Sequence, residues 1–166
     1  MIKTFFFTLV SSFLVPLLFS SVPCSAQNNS IDIFKPLTGK NWEGHFVNSE
    51  DSIYTHYIKW EYMPGFKAVK ETKSVPDLGF EMETFYYFDW EKNHISYLSL
   101  VNKDMISTGY VIIENSNIIL EGQTFFEGGS SEFKKSFELN DNGILVDKFY
   151  RKKEGNWVRG HLIEYE

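Results

Sequence analysis

Four histidines, His45, His56, His94 and His161, are the side chains best suited to ligate a metal or move a proton near neutral pH. They fall on four different segments. No two stand at the His-x-His or His-x-x-x-His spacing that brings two imidazoles to one metal, so no metal site is expected. Carboxylates are abundant, but Glu81, Glu83, Glu121, Glu127, Glu132 and Glu138 fall on the polar side of alternating segments. Nothing there would raise a carboxyl toward the pKa of a general acid. Ser130-Ser131 follows Gly128-Gly129 in a turn, without the strand–elbow–helix setting of a hydrolase nucleophile. No catalytic residue is assigned on these grounds, and no cofactor is expected.

Binding chemistry is better represented. Arg159 and His161 alternate with Val158, Gly160 and Leu162, and so share a face with Trp157, Ile163 and Tyr165. An inward Arg159 would meet a ligand carboxylate with its forked guanidinium. The alternative is that Arg159 stacks on Trp42 as a structural plug. Asp147-Lys148 and Arg151-Lys152-Lys153 read as a solvated strand and turn.

These residues must be positioned by strands. From Asn41 onward the chain is a series of short period-2 segments, with turn chemistry every nine to thirteen residues. The expected strands are Trp42–Val47, Tyr54–Met63, Phe66–Val75, Phe80–Asp89, His94–Val101, Ile106–Glu114, Ile118–Phe126, Ser131–Leu139, Ile144–Lys152 and Trp157–Tyr165. Gly, Asn, Asp and Pro fill the gaps, as tight hairpins require. No gap holds a crossover helix, so the pairing is antiparallel. An open sheet of ten strands leaves two bare edges, whereas a closed one leaves none. The sequence therefore predicts an all-β, antiparallel up-and-down β-barrel of about ten strands, with a two-sheet sandwich as the alternative. Ile33, Phe34 and Leu37 add one short helical turn before it.

The alternation names the lining. Tyr54, His56 and Trp60 share the apolar face of the second strand, Met82 and Tyr86 that of the fourth, and Gly122 that of the seventh. Together with Arg159 and His161 they are the expected ligand-binding residues. Gly109 and Gly122, if inward, would leave room in the barrel. Phe85 and Tyr87 face outward and would suit docking to a protein or carbohydrate, or lie beneath the N-terminal arm.

The chain opens with Lys3 followed by an uncharged run from Thr4 to Ser20, the layout of a secretory signal. Cys24 and Ala26 are the small residues a peptidase reads, so residues 1–26 are expected to be removed. Residues 27–40 would then form an arm and short helix, and 41–166 the barrel. Lipoprotein processing at Cys24 is the less favoured route, because Pro23 precedes it. The implied location is outside the cytoplasm, periplasmic or secreted, with no integral membrane span once the signal is gone. The remaining 140 residues suit one domain, and Cys24 is the chain's single cysteine. Their 15 basic and 22 acidic side chains disfavour nucleic acid and anionic membranes as partners.

Leu37-Thr38-Gly39-Lys40-Asn41-Trp42-Glu43-Gly44 is a short helix ending in Gly, followed by a Trp at the start of the first strand. This resembles the opening of lipocalin-like (calycin) barrels, where a Gly-x-Trp plugs the closed end beneath a basic residue of the last strand. The spacing here is Gly-x-x-Trp, and Arg159 would be the basic partner. Trp42-Glu43-Gly44 also faintly resembles nitrobindin-type haem barrels, which would assign haem to His161. The resemblance implies an exported lipocalin-like domain with non-catalytic binding of a small hydrophobic or amphipathic ligand. Two alternatives remain: a protein-interaction or inhibitor module with a filled barrel, and a small calycin-like enzyme.

Overall fold

A computed structural model describes residues 30–166. The expected signal, its cleavage site, Cys24 and most of the 27–40 arm's polar start lie outside the described residues.

Ten strands follow one another: β1 (Asn41–Phe46), β2 (His56–Tyr62), β3 (Ala68–Val75), β4 (Phe80–Asp89), β5 (His94–Val101), β6 (Met105–Glu114), β7 (Asn117–Phe126), β8 (Gly129–Leu139), β9 (Leu145–Lys153) and β10 (Asn156–Tyr165). Each pairs antiparallel with its neighbours in sequence, and β1 closes on β10 through Gly44 opposite Tyr165 and Phe46 opposite Ile163. The sheet is a closed up-and-down barrel, as the alternation and turn chemistry predict. Closure pairs every strand on both sides and removes the exposed edges. Asn115 and Ser116, at φ 50° and 69°, supply the two left-handed residues that a two-residue hairpin between β6 and β7 needs.

β2 starts two residues later than expected. Ser49 caps a 3-10 turn over Glu50–Ile53, its side chain accepting from the Asp51 N–H, and Tyr54 ends that turn instead of opening the strand.

The barrel has one closed end. A 3-10 turn over Ile31–Phe34, capped by Ser30, lies across it and buries Phe34. The Phe34 ring centroid sits 4.4 Å from that of Tyr86. Leu37 is buried beside it, and its carbonyl accepts from the Trp42 indole N–H at 3.1 Å. Thr38 forms a bridge to Trp60, whose ring meets Phe137 edge-on at 5.2 Å. The outer face carries ion pairs such as Lys70–Glu83, Lys134–Glu121 and Lys148–Glu138. Among the described residues no helix is long and apolar enough to cross a membrane.

Candidate functional site

The other half of the barrel is hollow. A cavity of about 370 Å³ lies toward the ends of the strands joined by the β3–β4, β5–β6, β7–β8 and β9–β10 hairpins. Its walls are apolar: Phe80 and Met82 from β4, Val101 from β5, Met105 from β6, Leu120 and Phe126 from β7, Phe133 from β8 and Phe149 from β9. The wall hydroxyls largely satisfy one another, Thr84 with Ser99 and Ser107 with Thr124, each at 2.8 Å. Its volume falls in the ordinary range for small-molecule sites.

The floor is ionic. Glu71 and Lys73 on β3, Lys135 on β8 and Asp147 on β9 meet inside the barrel, with both carboxylates fully buried. Asp147 Oδ2 lies 3.1 Å from Lys73 Nζ and 3.4 Å from Lys135 Nζ. Lys135 Nζ is also 3.6 Å from Glu71 Oε1. The Tyr86 hydroxyl donates to Glu71 Oε2, and His161 Nε2 faces Asp147 Oδ1 at 3.7 Å. Burial alone would push the Asp147 carboxyl up, but Lys135, Lys73 and His161 together hold it well below the usual carboxylate range. Burial and the neighbouring Glu71 push the Tyr86 hydroxyl well up. Burial lowers His161 against the opposing pull of Asp147, which leaves its imidazole neutral at neutral pH.

This floor corrects the expectation of a solvated strand at Asp147-Lys148: Asp147 is at the centre of the molecule. The signal was present: Lys135 lies two residues from both Phe133 and Phe137, and Asp147 two residues from both Leu145 and Phe149. Residues two apart share a face, so inward neighbours on both sides place the charge inward too.

Of the expected ligand residues, Met82, Tyr86 and His161 line the cavity. His161 stacks on Phe149 with centroids 5.0 Å apart. Trp60 is fully buried but belongs to the closed half. His56 is buried against Phe46, rings 4.4 Å apart and edge-on, outside the cavity lining. Its two ring nitrogens have no hydrogen-bond partner, and burial together with Lys73 lowers its pKa to about 4.

Three expectations are corrected. Gly122 and Gly109 are inward and paired, but the space they leave belongs to Tyr97. A Cβ on Gly122 would lie 2.2 Å from the Tyr97 hydroxyl and 2.2 Å from the Thr108 carbonyl oxygen. The two glycines therefore seat an aromatic ring, not a ligand. Tyr54 lies in the loop before β2, where its carbonyl oxygen is 3.3 Å from His45 Nδ1. Arg159 does not share the face of His161, because the register between β9 and β10 shifts between them, at Gly160. Arg159 pairs with Tyr150, on the alternation opposite to Phe149 and Arg151.

Trp42 is buried at the closed end as the plug requires, but Arg159 belongs to the other end of β10. Lys40 takes the covering position instead, its ammonium 4.7 Å from the Trp42 ring centroid. Arg159 lies in a groove of about 430 Å³ at the open rim, with Phe46, Ser49, Asp51, Arg151 and His161 among its walls. Among the described residues no three His, Cys, Asp or Glu side chains converge as metal ligands. Outside the barrel Tyr87 is exposed and Phe85 half-buried. Leu100, Ile106 and Phe125 form an exposed row across β5, β6 and β7.

No protein-family model matches the chain, and no curated protein does. The closed ten-stranded antiparallel barrel is compatible with a calycin-like fold.

Proposed function

We propose that this is an exported lipocalin-like domain that holds a small amphipathic molecule in the open half of its barrel without transforming it. The observation that carries this reading is the cavity of about 370 Å³, with apolar walls inside a fully paired sheet and an ionic floor beneath. Apolar walls favour a hydrocarbon body at roughly 25 cal/mol per Å² buried. The floor and rim supply the polar contacts that orient it.

Binding is favoured over catalysis by the state of the buried groups. Asp147 is held as a weakly basic carboxylate and the Tyr86 proton is held tightly. Neither is poised near neutrality, where general acid–base catalysis works best. The leader-like run Thr4 to Ser20 after Lys3 supports export.

Native mass spectrometry with organic extraction, on protein purified from its own host, tests the reading. A stoichiometric amphiphile is expected, and Met82→Trp, which fills the cavity, should abolish its retention. An empty protein that also binds no hydrophobic fluorescent probe would overturn it.

A further inference from the structure

We infer that the bound molecule carries an uncharged carbonyl at its inner end, a ketone or ester oxygen that accepts a hydrogen bond from the Lys135 ammonium. The inference rests on the binding reading above and narrows its ligand class.

Lys135 stands where the packed and hollow halves meet. Its ammonium lies 4.2 Å from the ring centroid of Phe137, a residue of the closed half, while its side chain also lines the cavity. The carboxylates beside it are closed to any ligand. Glu71 and Asp147 are fully buried, and Glu71 Oε1 and Asp147 Oδ1 are sealed without a hydrogen-bond partner. Lys135 differs. Its side chain keeps 10% of its surface open, and its nitrogen is not among the sealed atoms that lack a partner. With Phe133 and Phe137 it points into the barrel, so that open surface faces the chamber.

The N–H groups of Lys135 are unspent. Lys73 Nζ donates to Asp147 Oδ2 at 3.1 Å, and the outer pairs Lys134–Glu121 and Lys148–Glu138 close to 2.8 and 2.7 Å. Lys135 Nζ stays 3.4 Å from Asp147 Oδ2 and 3.6 Å from Glu71 Oε1, and neither contact has hydrogen-bond geometry. An ammonium held by charge alone, among walls such as Leu120, Phe126 and Phe149, gains from an acceptor that a ligand brings.

Charge balance selects the acceptor. Lys73 and Lys135 offset Glu71 and Asp147, and His161 is neutral, so the floor has no net formal charge. A carboxylate head would set a third negative charge beside two buried ones. A carbonyl oxygen takes the Lys135 hydrogen bond and leaves the balance unchanged. The wall hydroxyls do not compete for it, because Thr84 bonds Ser99 and Ser107 bonds Thr124.

The test uses protein purified from its own host and loaded with a hydrophobic fluorescent probe. Displacement at neutral pH is compared for a medium-chain methyl ketone, the alkane and the carboxylate of the same carbon count. The ketone is expected to bind more tightly than the carboxylate. Lys135→Met leaves each floor carboxylate a partner, Lys73 for Asp147 and the Tyr86 hydroxyl for Glu71. That variant should weaken the ketone about tenfold, the ratio given by one hydrogen bond from a charged donor, and move the alkane less than about twofold. Equal losses for ketone and alkane would overturn the contact, and a carboxylate that binds more tightly than the ketone would overturn the uncharged head. Infrared spectra of an isotope-labelled ketone read the same contact in the unaltered protein. Its carbonyl stretch should fall below the value in hydrocarbon solvent; an unshifted stretch would overturn the inference however the variant folds. Failure of the probe and all three compounds to bind would instead remove the binding reading itself.

Discussion

The closed and open halves of this barrel are built from the same ten strands and the same alternation, yet one is packed and the other hollow. Toward the closed end, Phe34 meets Tyr86 and Trp60 meets Phe137 ring against ring, Trp42 is buried, and a helical turn seals them off. Toward the open end, the inward residues include Met82, Val101, Met105 and paired hydroxyls, which do not fill the cross-section. Between them lie Glu71, Lys73, Lys135 and Asp147. The difference shows that period-2 patterning decides which way a side chain points, while its bulk decides whether the interior is core or container. A buried ion cluster is weak evidence of stabilisation, so the closed half must hold the fold.

Paired truncations put the largest expected effect on that contrast. Trp60→Ala should cost about 4 kcal/mol in urea unfolding, whereas Met82→Ala, beside existing empty space, should cost within about 1 kcal/mol. Equal losses would mean the open half is not hollow. The ionic layer comes next. Asp147→Asn strips Lys73 and Lys135 of their shared carboxylate and should cost about 3 kcal/mol. Glu138→Gln, which breaks the surface pair with Lys148, should cost less than about 1 kcal/mol.

A separate, pH-dependent effect is carried by His56. Its folded pKa, about 4, lies below the ordinary 6.5, so the unfolded chain takes up a proton first as pH falls. Its contribution is therefore neutral above that ordinary value and destabilising below it. Between neutrality and about pH 5 it should remove about 2 kcal/mol of stability. His56→Leu should flatten that acid limb of the melting temperature profile; an unchanged limb would place its origin elsewhere.

Much of this was legible in the sequence. All ten strands follow from alternation and turn residues, and so do the inward positions of Met82, Tyr86 and Phe133. The ionic floor was missed because consecutive charges were read together as a solvated surface. On a strand they cannot stay together. In Lys70-Glu71, Lys134-Lys135 and Asp147-Lys148 the first or second member must face inward. The outer members pair with Glu83, Glu121 and Glu138, and the inner ones meet each other. The misplacement of Arg159 has a different cause. Strict alternation was carried through Gly160, although a glycine inside a strand is itself a sign of a bulge.

That bulge has a consequence for how the molecule can change. A Cβ on Gly160 would sit 2.7 Å from the Phe149 ring, so the kink is tied to a glycine. On one side of it His161, Ile163 and Tyr165 keep the inward alternation of the wall; on the other, Trp157, Val158 and Arg159 stay paired with Lys152, Arg151 and Tyr150 in a register shifted by one, and all three are exposed. The rim of β10 is thus free to drift in sequence while the wall stays fixed, and new ligand preferences can be acquired there without refolding the barrel.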